Sequence, residues 1–166
     1  MSLTLKQYIV GVENGSLDPK RVISDYQKKA QEHVGHGTNA FLTIPKEYTM
    51  EHESMTITRP LHGAPIGIKD NILIKGVRAT CGSKILENYI APYTAPCYEN
   101  LEKAGGLVIG KCNMDEFALG SSNEYSAYGP AKNIYGNNKI TGGTSGGPAV
   151  AVAADLCLAA LGTDTG

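Results

Sequence analysis

Two glycine-rich turns bracket a run of small apolar residues at the C-terminal end of the sequence. They restrict the fold more than any other feature. The first reads Gly142-Gly143-Thr144-Ser145-Gly146-Gly147-Pro148, the run is Ala149 to Ala154, and the second reads Gly162-Thr163-Asp164-Thr165-Gly166. Four glycines in six residues let a backbone turn tightly and approach another segment closely. Such a turn also presents N–H groups to an anion or a developing oxyanion. Pro148 suits the first turn of a helix, and Leu156 to Leu161 reads as a buried strand. Turn, helix, strand and turn in that order belong to an α/β fold. A terminus with nothing to tie it down frays, so the expectation is that the residue justifying the second turn lies beyond Gly166.

The upstream sequence extends this pattern. Leu5, Tyr8, Ile9 and Val12 fall at helical spacing over residues 3–14, and Asn14-Gly15 ends the helix. Asp18-Pro19 reads as an N-cap followed by proline at the first helical position, with Val22, Ile23, Tyr26 and Ala30 continuing the helix. Residues 39–44 read as a strand, and residues 45–60 as a polar surface connection. A short strand leads from Gly63 to Lys69 and Asp70. Residues 94–104 look helical and stop at Gly105-Gly106, and residues 107–110 form a brief apolar strand. Met114 to Leu119 suits a helical turn. Residues 121–138 form a polar loop long enough to suggest function. The expected division is a helical region, 1–38, and a core beginning at 39 and running to 166.

Composition narrows the function classes. With 42% apolar and 19% charged residues and a net charge of −1, the chain suits a soluble globular domain. It has no basic run to bind nucleic acid or a membrane surface directly. No apolar stretch is long enough to span a bilayer, and the N-terminus lacks a signal-peptide layout, which makes the cytoplasm the default location. Cys81, Cys97, Cys112 and Cys157 form no CxxC pair and have no histidine at ligand spacing, so no metal site is expected. They read as reduced, mostly buried thiols, and His33, His36, His52 and His62 as surface residues.

Three places carry candidate chemistry. Lys69 shares a strand face with Gly67, opposite Ile66 and Ile68. It is either a solvated strand-end lysine or a lysine buried against glycine, whose lowered pKa would make it a usable general base. In the first glycine turn, Gly142, Gly143, Gly146 and Gly147 suit either a phosphate loop or the display of a hydroxyl, Thr144 or Ser145. Gly147-Pro148-Ala149 lacks the lysine and hydroxyl residue of a P-loop, which favours the hydroxyl. In the second turn, Thr163, Asp164, Thr165 and Gly166 form either a simple capping turn or part of an oxyanion hole.

Taken in order, GAPIGIKDNI, KCNMDEFALGSSNEYSAYG, GGTSGGPAVAVAA and LAALGTDTG resemble the amidase signature family. The NMDEFALGSSNE segment is most similar to the A subunits of glutamyl-tRNA(Gln) amidotransferases within it. The resemblance is strong over residues 61–166, weak before them, and corresponds to about the first third of a family member. It implies a mixed central β-sheet covered by helices, cut before the nucleophile motif. It also implies a Ser–cis-Ser–Lys triad, with Lys69 as base and Thr144 at the bridging position, preceded by a cis peptide bond. Ser145 is a second, weaker candidate for the bridge. The nucleophilic serine of the pattern would stand two residues past Gly166, so this chain is expected to be inactive alone.

The family reaction would be glutamine hydrolysis, with the ammonia used by partner B and C subunits to convert Glu-tRNA(Gln) to Gln-tRNA(Gln). ATP and Mg2+ would serve the complex through one of these partners, and tRNA would be bound through the complex. Other readings are an amidase for small carboxamides and a non-catalytic module that binds the other subunits. A sheet cut after its first strands is also expected to expose an apolar edge and to associate.

Overall fold

A computed structural model describes residues 3–34, 37–45 and 58–164. Local chemistry sets the N-terminal helices. Helix α1 spans Leu5–Glu13, with Thr4 and Gln7 forming a reciprocal capping box, and Asn14 closes it. Helix α2 spans Pro19–Gln31; the Asp18 side chain accepts from Lys20 N–H, and Lys28 and Lys29 sit in its last turn. Tyr8, Ile23, Tyr26 and Ala30 are buried, and Tyr8, Tyr26 and Ala30 join the same apolar cluster as the strands. The structure thus has α1 and α2 packed on the core.

The core sheet has four strands in the order β1-β3-β2-β4. These are β1 (Phe41–Thr43), β2 (Pro65–Lys69), β3 (Leu107–Cys112) and β4 (Ala159–Leu161). Strand β2 runs parallel to β3 and β4, and β1 runs antiparallel to β3. All residues of β2 and β3 are buried, as expected of central strands covered on both faces. Helix α3 (Pro96–Lys103) connects β2 to β3 and stops at Gly105. Helix α4 (Gly146–Ala153) packs on β2 and leads to β4.

Several elements differ from the sequence expectation. Strand β3 continues through Lys111 and Cys112, because Lys111 finds a buried partner in Asp70. The predicted buried strand 156–161 divides: Leu156, Cys157 and Leu158 are buried, while β4 proper is half-buried at a sheet edge. Met114 to Leu119 shortens to a 3-10 turn over Glu116–Ala118, because Phe117 and Ala118 take positive φ. Among the thiols, Cys112 and Cys157 are buried, Cys81 is half-buried and Cys97 is exposed. His33 and His62 are half-buried rather than on the open surface: His33 meets the Thr38 hydroxyl at 3.2 Å, and His62 lies 3.8 Å from Glu13. His36, His52 and most of the 45–60 connection lie outside the described residues. No helix among the described residues is long and apolar enough to cross a membrane.

Candidate active site

Lys69 ends β2 with a side chain fully shielded from solvent, which excludes the solvated strand-end reading. The face it shares with Gly67 has no room for a larger residue. A Cβ at Gly67 would lie 2.8 Å from Cys112 Sγ and 3.3 Å from both Ala160 Cβ and Cys157 Sγ. The glycine therefore lets β3 and β4 pack closely against β2 two residues before the lysine.

The Lys69 ammonium has three acceptors. Nζ donates to Thr144 Oγ1 at 2.6 Å, Thr163 Oγ1 at 2.7 Å and the Thr163 carbonyl at 3.2 Å. Lys69 forms no ion pair with a described residue. Burial lowers its pKa from the ordinary value, while the more distant charges of Asp115 and Asp164 act in the opposite direction. A desolvated lysine held by hydroxyls and a carbonyl can lose a proton more readily than a surface lysine.

The first glycine turn delivers Thr144 to this lysine. Gly142 and Gly143 have φ of +76° and +67°, a left-handed path that β-branched residues resist. Gly146 and Gly147 are required for space instead. A Cβ at Gly146 would collide with Thr141 and Asn123, and one at Gly147 with the backbone of Asn113. Thr144 is 8% exposed, and its methyl does not turn the hydroxyl away from Lys69. The cis peptide implied before Thr144 is not present, since no peptide bond among the described residues is cis. The left-handed glycine pair brings the hydroxyl to Lys69 with a trans bond, which is favoured by about 2.5–4 kcal/mol outside proline.

Ser145 joins the two turns. Its hydroxyl donates to the Thr163 carbonyl at 3.1 Å and accepts from Thr163 N–H at 3.2 Å. A Cβ at Gly162 would lie 2.9 Å from Ser145 Oγ, so that glycine permits the contact. In the second turn, Thr163 directs its hydroxyl and carbonyl at the lysine, and Asp164 is exposed. Thr165 and Gly166, the expected oxyanion donors, lie outside the described residues.

Four charged or amide groups around the site were not singled out from the sequence. Asp70 and Lys111 form a fully buried ion pair at 3.2 Å, and Asp70 Oδ2 also accepts from Thr80 N–H and Oγ1 at 2.7 and 2.5 Å. Asp115 is fully buried; its oxygens accept from the N–H groups of Asn123 at 3.0 Å and Tyr125 at 2.9 Å, which fixes the start of the polar loop. Asn71 lies 3.1 Å from Thr163 Oγ1. Strand alternation held a signal for the first pair: Asp70 falls on the Ile66 and Ile68 face, where a carboxylate needs a cationic partner.

A cavity of about 620 Å³ lies within the polar loop, lined by Ser122, Glu124, Lys132, Asn133, Lys139 and others. Lys69 and Thr144 do not line it. Among the described residues, no group of three His, Cys, Asp or Glu is placed to hold a metal ion.

Comparison with known proteins extends this geometry to a family. Residues 21–166 match the family described as Amidase. The A subunit of the glutamyl-tRNA(Gln) amidotransferase of Thermus thermophilus is 44% identical over 155 residues, covering 93% of this chain and 33% of the relative. The crystal structure of its counterpart from Thermotoga maritima superposes with a TM-score of 0.77 at 36% identity, over 96% of this chain and 33% of that one. A structure from a vestigial protein complex, described as revealing the evolutionary origins of an s-triazine catabolic enzyme, superposes with a TM-score of 0.88 at 30% identity, over 98% and 37%. The chain thus spans about a third of the length of these relatives. With the family match covering most of its residues and a buried lysine set on two glycine turns, the chain belongs to the amidase family.

Proposed function

We propose that this chain supplies the base and the hydroxyl relay of an amide-hydrolysing site of the glutamyl-tRNA(Gln) amidotransferase A-subunit type. The observation that carries the reading is the fully buried Lys69 with its Nζ 2.6 Å from the Thr144 hydroxyl. In this reading neutral Lys69 takes the Thr144 proton as Thr144 takes the proton of a nucleophilic serine. The serine oxygen then forms a bond to the amide carbon of glutamine. The relay returns a proton to the nitrogen as the C–N bond breaks, which releases ammonia, and water cleaves the acyl ester by the same path. N–H groups of the second turn, including those of Thr165 and Gly166, would face the oxyanion.

In this reading the nucleophilic serine would stand two residues past Gly166, so residues 1–166 alone would bind no acyl group and turn over no glutamine. Residues 1–38 and 39–166 would act as one partial amidase domain in the cytoplasm. Partner B and C subunits would use the ammonia on Glu-tRNA(Gln), with ATP and Mg2+ serving the complex through one of these partners. The A-subunit reading rests on sequence identity, which reaches 44% for the Thermus relative. Overall shape alone does not single out the A subunit, since the s-triazine-related structure superposes more closely.

The test joins residues 1–166 to the remaining two-thirds of the Thermus relative and measures ammonia release from glutamine with the B and C subunits present. The expected result is activity that falls at least ~10³-fold in Lys69→Met, with residues 1–166 alone at background. A folded chimera whose activity is indifferent to Lys69 would refute the reading.

A further inference from the structure

The hydrogen bonds around Lys69 leave one choice open. An ammonium has three protons, matching the three acceptors in place. A neutral amine has two protons and one lone pair. The Thr163 carbonyl can only accept, so it retains one N–H. The lone pair must then face one of two hydroxyls, Thr144 or Thr163. Only a lone pair on Thr144 drives the proposed relay. A Thr163 hydroxyl that donated to Lys69 would occupy the base unproductively.

Asn71 is placed to decide between them. Its amide nitrogen lies 3.1 Å from Thr163 Oγ1, and its Oδ1 is buried with no hydrogen-bond partner among the described residues. A half-turn of the amide exchanges the two atoms, which hydrogen-bond logic rather than shape must distinguish. With the oxygen toward Thr163, Oδ1 accepts the Thr163 proton, and the amide NH2 takes the buried position the oxygen held. The Thr163 oxygen then has only lone pairs left to offer Lys69. We infer that Asn71 is a positioning residue: it engages the Thr163 proton, restricts Thr163 to accepting from Lys69, and leaves Thr144 as the hydroxyl that receives the amine lone pair. The significance for catalysis rests on the proposed role of Lys69, but the hydrogen-bond claim can be tested without substrate.

The charged groups around Lys69 are accounted for on each side. Asp115 from the turn after β3 and Asp164 from the loop after β4 favour the charged lysine. Asp70 and Lys111 pair with each other, and alternation along β2 puts Asp70 on the opposite sheet face from Lys69. None of these four changes in the variants below, so a shift in Lys69 reports the hydrogen bonds.

The experiment titrates the Lys69 side chain in the 166-residue chain by lysine 13Cε NMR. It uses wild type, Asn71→Leu, Thr163→Val and the double variant, with Asn71→Ala as a smaller replacement should the leucine variant not fold. Removing Asn71 frees the Thr163 hydroxyl to donate to the neutral amine, so the Lys69 pKa is expected to fall by ~1 unit. Thr163→Val removes an acceptor of the ammonium and also lowers it. The double variant is expected to match Thr163→Val, because Asn71 acts through that hydroxyl. Asn71 variants that leave the Lys69 pKa unchanged and alter only thermal stability would overturn the inference. So would an equal shift from Asn71→Leu in the Thr163→Val background. A folded chimera whose glutaminase activity is indifferent to Lys69, with the NMR cycle intact, would refute the proposed function and leave this assignment standing.

Discussion

Lys69 is held by contacts that have separate measurable consequences. Its lowered pKa gives a signed prediction. Between its folded pKa and the ordinary lysine value near 10.5, the unfolded chain binds more protons than the folded one. Lys69 therefore makes stability rise with pH across that window, and its penalty is fully present below the folded pKa. The buried thiols act in the opposite sense above pH 9: burial raises the Cys112 pKa and pushes that of Cys157 up to about 12, so the folded state keeps protons the unfolded state loses. The measurement is therefore a difference. Urea unfolding of wild type and Lys69→Met from about pH 7 to 10.5 should show the wild type gaining on the variant as pH rises; parallel curves would contradict a depressed lysine. At Gly67, substitution by alanine should cost about 1–3 kcal/mol, because the new methyl meets Cys112 Sγ and the strands on both sides. A Gly67→Ala chain with an unchanged urea midpoint would show that this face is looser than the structure has it.

The elements meet through polar links as well as apolar packing. Tyr26 donates to Asp155 Oδ1 at 2.7 Å, and Lys29 Nζ lies 2.7 Å from Oδ2. Asp155 itself has φ of +56°, uncommon for a residue other than glycine. Helix α2 is thereby tied to the turn between α4 and β4. The pair is partly exposed, so its charge contributes little and the tyrosine bond more. The Asp70–Lys111 pair is different, because both members are fully buried. Asp70→Asn should cost about 3–5 kcal/mol by leaving Lys111 uncompensated. Lys111→Met combined with Asp70→Asn should recover part of that loss, measured by chemical denaturation. Absence of any coupling between the two substitutions would show that the pair does not act as a unit. Much of this level was legible in the sequence: the capped helices, the proline starts and the glycine stops depend on near neighbours. The extension of β3 through Lys111 was not, because a charged residue can continue a buried strand only where another strand supplies its partner.

At the scale of the molecule, the sheet edges and the surface control behaviour in solution. Strands β1 and β4 are the edges among the described residues, and β4 is half-buried. Ile85, Leu119, Tyr125 and Tyr135 are exposed large apolar residues, between 65% and 82% accessible. Unpaired backbone at an edge and scattered apolar side chains favour association. Residues 1–166 are expected to self-associate with rising concentration in sedimentation-velocity runs, and a charge in place of an exposed apolar residue, Ile85→Lys, should reduce it. A monodisperse monomer that melts cooperatively would count against this.

The sequence by itself determined the class of fold, the order of most elements and the pieces of the site. Helical period, caps, turns and glycine placement are local, and Lys69, Thr144 and Ser145 stand in recognisable patterns. Only the tertiary structure decided that Lys69 is buried, because Thr144, Thr163 and its strand partner Cys112, which surround it, are distant in sequence. It also decided which hydroxyl meets the lysine and which one clasps the second turn. Thr144 and Ser145 are adjacent and chemically alike. The left-handed path of Gly142-Gly143 and the close approach of Gly147 to Asn113 aim one at the base and the other at Thr163. That direction is a property of packed backbones, which residue types in a row do not carry.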